Sequence, residues 1–187
     1  MNKAVFLDRD GVINEDRGFI NTIDDIILYE NSGKAIKMLN DSGFLVIIIT
    51  NQPVIARGEI TEKGLNEIHE KMKNMLAKDG AKIDKIYYCP HHPDKGFPGE
   101  RPEYKIECNC RKPKTGMVEQ AVKDFDIDVA SSFFVGDKTT DIKAGKDAGC
   151  KTILVKTGIG GKDNVFDITP DYVCNDILDA VKTVVSK

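Results

Sequence analysis

The chain of 187 residues has no tryptophan, only 7% aromatic residues and no long apolar run. A bilayer span needs roughly 20 consecutive apolar residues, so a membrane-spanning helix is not expected. Strong charge of either sign is also missing: the net charge is −3 and the pI about 5.7. Basic and aromatic residues do not cluster, which argues against a nucleic-acid partner. There is no internal repeat and no low-complexity tract, and residues 1–187 read as one domain. Met1-Asn2-Lys3 leads directly into an apolar run, so a signal peptide is not expected and the cytoplasm is the expected location. Nothing marks a self-association surface, and a monomer is expected. Cysteine is sparse and odd in number: Cys89, Cys108, Cys110, Cys150 and Cys174. A disulfide framework is therefore not expected. Cys150 and Cys174 read as small buried hydrophobes.

What is present is a regular alternation of strand and helix signals. Ala4 to Leu7, Phe44 to Ile49, Lys85 to Cys89, Ser132 to Gly136, Thr152 to Val155 and Asp171 to Cys174 read as strands. The continuous β-branched run ending at Ile49 suits a strand covered on both faces. Helical spacing appears in Ala35-Ile36-Leu39, in Leu65-Ile68-Met72-Leu76, in Met117-Val118-Ala121-Phe125, around Ala144, and in Ile177-Leu178-Val181-Val184. Asn31-Ser32 reads as the cap of the first helix and Thr61 as the start of the second. Strands alternating with helices predict an α/β fold: a three-layer, Rossmann-like parallel sheet with helices on both faces. From Pro90 to Pro113 the chain is rich in proline, glycine, charge and cysteine, and a long irregular segment of this kind needs a reason.

The first strand ends in Asp8-Arg9-Asp10-Gly11. Along a strand, residues i and i+2 face the same way, so Asp8 and Asp10 are expected to share one site at its carboxyl end. Ligands of open α/β sheets gather at that end. Two close carboxylates need a cation or a shared proton. Both suit phosphate chemistry, with Asp8 as nucleophile, Asp10 as proton donor and acceptor, and Mg²⁺ neutralising charge. Two further strands end in polar residues that fit the same site. Thr50-Asn51 offers a hydroxyl to a phosphoryl oxygen. Asp137 can complete a hard-oxygen Mg²⁺ site, with Lys138 beside it and Asp141 one helical turn on. Lys112, in Arg111-Lys112-Pro113, can neutralise an equatorial phosphoryl oxygen, and Asp141 can orient Lys112 or a metal-bound water.

A second constellation lies in the irregular segment. Cys89 and His91, with Cys108 and Cys110, form a Cys₃His set suited to a closed structural Zn²⁺ site. His92 competes with His91 as the imidazole ligand. Such a site would pin the loop 89–110 and hold Arg111-Lys112 over the phosphate.

Taken in order, DxDG, Thr50, Lys112 and GDKTTD (Gly136 to Asp141) resemble the haloacid dehalogenase-like superfamily of aspartate-nucleophile phosphohydrolases. Over nearly its full length the chain is similar to the heptose-bisphosphate phosphatases within it. FLDRDGVIN, DRGF (Asp16 to Phe19), TNQ, IARG (Ile55 to Gly58), YYCPHHP, CNCRKP and VGDKTTDI carry that likeness. The histidinol-phosphatase domain is the nearest alternative, sharing the DRDG start, TNQ, the zinc loop and CRKP. A zinc-bearing binding module without activity is a distant third. The resemblance implies Mg²⁺-dependent phosphotransfer through an aspartyl phosphate, with almost no cap and a small sugar bisphosphate as substrate. Mg²⁺ would lie between Asp8, the Asp10 carbonyl and Asp137. Thr50, Asn51 and Lys112 would hold the reacting phosphoryl group. The substrate walls would be Asp16, Arg17, Gly18 and Phe19; Gln52 to Gly58, with Gln52, Pro53 and Arg57; Lys138; and the zinc loop. Arg111 would take the distal phosphate, helped by Arg57. Pro53 stands where a serine is expected after TNQ, and the zinc loop is lengthened between Lys95 and Glu107.

Overall fold

A computed structural model describes residues 1–18 and 20–187. Six parallel strands form one sheet in the order β3-β2-β1-β4-β5-β6. They are β1 (Ala4–Leu7), β2 (Leu45–Asn51), β3 (Lys85–Cys89), β4 (Phe133–Gly136), β5 (Lys151–Val155) and β6 (Tyr172–Cys174). Five α-helices connect or follow them: α1 (Ser32–Asp41), α2 (Glu62–Ala77), α3 (Gly116–Phe125), α4 (Thr139–Asp147) and α5 (Ile177–Val185).

Strand alternation divides the core in two. Val5 and Leu7 of β1, with Val46 and Ile48 of β2, face a cluster built with α1, α2 and α5. Ala4 and Phe6, with Ile47 and Ile49, face the other cluster, which contains Met117, Val118, Ala121 and Ala144 from α3 and α4. The continuous apolar runs of the sequence thus become strands covered on both faces, successive side chains pointing to opposite clusters. Each fully buried Leu, Ile or Phe contributes about 1.5–3 kcal/mol relative to exposure, so the central strands are a stiff platform.

Strand boundaries differ from the sequence reading by one or two residues. β2 runs on to Asn51 because its last two residues still pair with Tyr88 and Cys89 of β3. The cap of α1 differs in substance. Asn31 makes no side-chain capping bond, and the Ser32 hydroxyl instead donates to the Ile13 carbonyl at 2.6 Å, inside the core. Thr61 does cap α2, accepting from the Gly64 N–H at 3.0 Å.

The chain runs outward from the central β1 through β2 and β3, then returns to the other side of β1 for β4, β5 and β6. The strand order therefore reverses between β1 and β4, where open sheets leave a crevice at their carboxyl ends. No further helix or strand element lies between β1 and α1 among the described residues. Among the described residues, no helix is long and apolar enough to cross a membrane.

Candidate active site

A cleft of about 300 Å³ opens at this reversal. Its lining includes Asp8, Asp10, Thr50, Arg111, Lys112 and Asp141. Three buried acids converge here: one carboxylate oxygen each of Asp8, Asp137 and Asp141 lies within 4.8 Å of the others, and Asp8 and Asp141 line the cleft. Lys112 is their counter-ion. Its Nζ sits 2.9 Å from Asp8 Oδ1 and 2.7 Å from Asp141 Oδ1. Burial alone would lower the lysine's proton affinity, but Asp141 and Asp8 outweigh it, and the ammonium is held above its usual range. Asp141 thus orients Lys112, and its other oxygen accepts the Lys138 N–H at 3.1 Å, at the start of α4.

One lysine does not balance three acids. Burial, then the charge of Asp141, push the Asp8 carboxyl up to about 6 against the pull of Lys112. Burial, then Asp8, push Asp137 up to about 8. The local deficit is one of positive charge. Asp137 Oδ1 is buried without a hydrogen-bond partner, while Oδ2 accepts the Ile159 N–H at 2.7 Å. A hard divalent cation such as Mg²⁺ fits this oxygen-only set. Two glycines leave the room. Gly11 turns out of β1 at φ +86°, and a Cβ there would stand 2.3 Å from Asp137 Oδ2. At Gly158, with φ +61°, a Cβ would meet the same oxygen at 2.3 Å.

Asp10 shares the cleft with Asp8, as expected, but not its partners. Both lie just past the end of β1 at Leu7: the Asp8 N–H still donates to the Val135 carbonyl of β4 at 3.0 Å, and Asp10 forms an isolated bridge with Asn14. Their carboxylates take separate partners. Asp8 Oδ1 accepts the Arg9 N–H at 2.7 Å and the Lys112 ammonium. Asp10 accepts four bonds: from Arg9 Nε at 3.0 Å, Arg9 Nη2 at 2.9 Å, Asn14 Nδ2 at 2.9 Å and Gln52 Nε2 at 2.9 Å. Burial would raise its proton affinity, but Arg9, Asn14 and Gln52 outweigh it and hold the carboxyl below its usual range.

The β2 residues divide their work. Gln52 Nε2 also donates to Thr50 Oγ1 at 2.9 Å, so the Thr50 proton is free to point at a phosphoryl oxygen. Asn51 lines the cleft, with both its amide atoms engaged by the Lys112 backbone. Its Oδ1 accepts the Lys112 N–H at 3.0 Å and its Nδ2 donates to the Lys112 carbonyl at 3.2 Å. It clamps the peptide that carries the lysine.

The walls are mixed. Asp16, Gly18, Pro53, Arg111 and Lys138 line the cleft, and Lys138 Nζ pairs with Asp16 Oδ2 at 3.0 Å. Arg17 is outside the lining, 4.0 Å from Glu15. Arg57 is also outside it, its guanidinium 4.6 Å from the Phe97 ring centroid. Phe19 lies outside the described residues. Arg111 Nη1 donates to the His91 carbonyl at 3.2 Å, so the loop's own backbone holds it at the rim. Glu107, in the same loop, pairs with Lys114 at 3.1 Å.

The thiols and imidazole of the irregular segment converge. One ligand atom from each of Cys89, His91, Cys108 and Cys110 lies within 4.8 Å of the others. Cys110 Sγ is 3.1 Å from Cys89 Sγ and 3.2 Å from Cys108 Sγ, and His91 Nδ1 is 3.4 Å from Cys110 Sγ. His92 turns away, its Nδ1 accepting the Asp94 N–H at 3.2 Å. Hydrogen bonds from Cys89 and its neighbours pull the Cys110 thiol down to about 5, and the same contact raises Cys89. Three soft donors and one imidazole at this spacing fit a closed tetrahedral Zn²⁺ site.

Several contributors were not singled out in the sequence. Arg9 carries no motif signal beyond its place between two aspartates, and it is 1% exposed. Asn14 enters only as the last residue of FLDRDGVIN, and His69 carries no motif signal. In the glycine-rich stretch after β5, the Ile159 and Gly161 amides donate to the Asp137 side chain and carbonyl, each at 2.7 Å. Asp163 lines the cleft and accepts from the Thr139 N–H at 2.9 Å, at the start of α4.

Known proteins share this arrangement. The HAD-hydrolase-like family profile matches residues 109–180. The D-glycero-beta-D-manno-heptose-1,7-bisphosphate 7-phosphatase of Haemophilus ducreyi is 49% identical over 158 residues, covering 83% of this chain and 84% of that protein. A Photorhabdus laumondii enzyme named for the alpha anomer is 45% identical over 157 residues, covering 83% and 84%. The crystal structure of D,D-heptose 1,7-bisphosphate phosphatase from B. bronchiseptica, complexed with magnesium and phosphate, superposes with a TM-score of 0.86 at 36% identity, covering 98% of both chains. The cleft at the strand-order reversal, its buried acid–lysine cluster and this full-length likeness agree, and the chain belongs to the heptose-1,7-bisphosphate 7-phosphatase family of HAD-like phosphoric monoester hydrolases.

Proposed function

We propose that the whole chain, residues 1–187, is one catalytic domain. It removes the 7-phosphate of D-glycero-D-manno-heptose 1,7-bisphosphate through an aspartyl phosphate on Asp8. The observation that carries this reading is the buried Lys112 bridging Asp8 and Asp141 at 2.9 and 2.7 Å. That lysine holds the nucleophile ionised and places a positive charge where an equatorial phosphoryl oxygen would lie. Asp8 Oδ1 is already taken by Lys112 and the Arg9 N–H, so Oδ2 is the attacking oxygen. It forms the new bond to phosphorus as the bond to the sugar oxygen breaks. To protonate that oxygen, Asp10 must carry a proton in the substrate complex, where the phosphate's negative charge opposes the donors that otherwise hold the carboxyl ionised. A water then attacks the same phosphorus, Asp10 takes the water's proton, and inorganic phosphate and the Asp8 carboxylate are restored.

Asp8, Asp137 and the Asp10 carbonyl would hold Mg²⁺, which when bound offsets the excess negative charge around the phosphoryl group. Thr50 donates its hydroxyl to that group. Cys89, His91, Cys108 and Cys110 would hold Zn²⁺ in a structural role, keeping Arg111 at the rim. Arg111 takes the distal phosphate, since a guanidinium suits bidentate oxyanion binding.

Phosphate release from the alpha and beta anomers of the bisphosphate, from a heptose monophosphate and from histidinol phosphate tests the reading. A kcat/KM for either bisphosphate at least about 100-fold (about 2.7 kcal/mol) above that for histidinol phosphate supports it. Equal or greater turnover of histidinol phosphate overturns it.

A further inference from the structure

Among the described residues, Arg9 is the largest fully buried side chain. A buried guanidinium must place five N–H groups. Nε and Nη2 form a fork on Asp10, at 3.0 and 2.9 Å. No carboxylate takes Nη1; its partner is Nε2 of His69, at 3.2 Å. His69 comes from α2, is 4% exposed, and lies 5.9 Å from the Tyr88 ring, centroid to centroid. A guanidinium only donates, so Nε2 must present its lone pair and the ring must be neutral. Burial, then the Arg9 charge, hold the imidazole down to about 3, which agrees with that assignment. The guanidinium is planar, so a bond at Nη1 also sets the direction of Nε and Nη2. The plane of the Asp10 carboxylate is therefore fixed from α2, by a histidine that is not part of the cleft lining.

We propose that His69 and Arg9 are positioning residues for proton transfer: His69 fixes the guanidinium plane of Arg9, and Arg9 fixes the carboxylate plane of Asp10. This rests on the reading above, in which Asp10 hands a proton to the departing sugar oxygen. General acid catalysis requires that the donor be aligned with the atom it protonates. A cradle that holds both carboxylate oxygens restricts Asp10 to small excursions from one plane. A Lys in place of Arg9 keeps the charge but loses the fork.

The test compares two leaving groups. A sugar alkoxide needs a proton to depart; 4-nitrophenolate does not. His69→Leu removes the acceptor without introducing a charge, and His69→Gln restores an acceptor at similar reach. We expect His69→Leu to lower kcat/KM for a sugar phosphate by about tenfold or more, a part of the 10²–10⁴ that general acid catalysis supplies. For 4-nitrophenyl phosphate the loss should stay under about twofold, and His69→Gln should stay within about twofold of the parent on both substrates. Equal losses on the two substrates overturn the proposal, as does an unchanged sugar-phosphate rate in His69→Leu or a failure of Gln to rescue. Should His69→Leu not fold, Arg9→Lys carries the same comparison, with the same split expected and equal losses overturning it. Asp10→Asn separates the two levels. An intact sugar-phosphate rate in Asp10→Asn removes the reading of Asp10 itself. A dead Asp10→Asn beside an unaffected His69→Leu removes only the role of the pair.

Discussion

The two clusters that flank Lys112 are opposites. The acid cluster of Asp8, Asp137 and Asp141 sits at the ends of β1 and β4 and the start of α4, fully buried, with more negative charge than its lysine offsets. The thiol cluster of Cys89, His91, Cys108 and Cys110 sits largely in an irregular segment; only Cys89 is buried, and its members hydrogen-bond one another. The first is a rigid frame holding unfavourable electrostatics. The second is a set of matched ligands on a chain with little core of its own. Unbalanced charge can be maintained only where packing over-determines the backbone, as the two covered faces of the sheet do. A loop needs a local cross-link instead. Removing a member of the first cluster should therefore cost chemistry, and removing the centre of the second should cost order.

The largest effect is expected at Asp8. Asp8→Asn should reduce turnover by a factor on the order of 10⁴ or more, as loss of a covalent nucleophile does. The melting temperature should hold or rise, because one of three mutually repelling acids becomes neutral. Steady-state assays and a thermal melt check both halves, and substantial Mg²⁺-dependent turnover would sink the aspartyl-phosphate mechanism. Next in size is metal removal from the loop. Purified protein should carry about one Zn²⁺ per chain. Chelation should raise amide exchange in residues 89–110 by roughly 10–100-fold while β1, β2 and β4 stay protected, since sub-global units open separately. Normal protection of that loop in metal-free protein would erase the contrast between the clusters.

Arg111 links the two regions, and Arg111→Ala should raise KM for the bisphosphate much more than for a monophosphate of the same sugar. A hydrogen bond to a charged group is worth about 1.5–3 kcal/mol, or roughly 10–150-fold. Equal effects on both substrates would place Arg111 with the reacting phosphate or with the fold. The smallest effect concerns pH. Asp8 near 6 and Asp137 near 8 bind protons more tightly folded than unfolded. Their contribution to metal-free stability is therefore full below the unfolded value of 3.8 and is lost as pH rises through about 6 and then 8. Mg²⁺ must displace those protons, so its affinity should rise by up to about tenfold per pH unit between 6 and 8. Calorimetric titration at the two pH values tests this, and a pH-independent affinity would contradict it.

Much of this architecture is legible in the residues because it is periodic or local. A continuous β-branched run marks β2, and helical spacing marks α2 and α5. The residues named for chemistry fall at strand ends because polar side chains there interrupt apolar runs. Other features are long-range and left no pattern. Arg9 looks like any surface arginine until α2 brings His69 across it. Asn51 looks like a phosphate ligand until the Lys112 peptide, on a distant loop, takes both its amide atoms. His91 and His92 are adjacent and chemically identical, and only the course of the loop turns His91 toward the thiols.

What the sequence determined by itself was the order of elements, the two-faced sheet and the chemical types gathered at its carboxyl end. Those follow from side-chain period and from which residues tolerate burial. What only the tertiary structure decided was the pairing: Asp8 and Asp141 with Lys112, and Asp10 with Arg9, Asn14 and Gln52. Charge pairing depends on distances of a few ångströms between segments far apart in the chain. Coulomb energy at those distances varies steeply with burial, and no local pattern of residues encodes it.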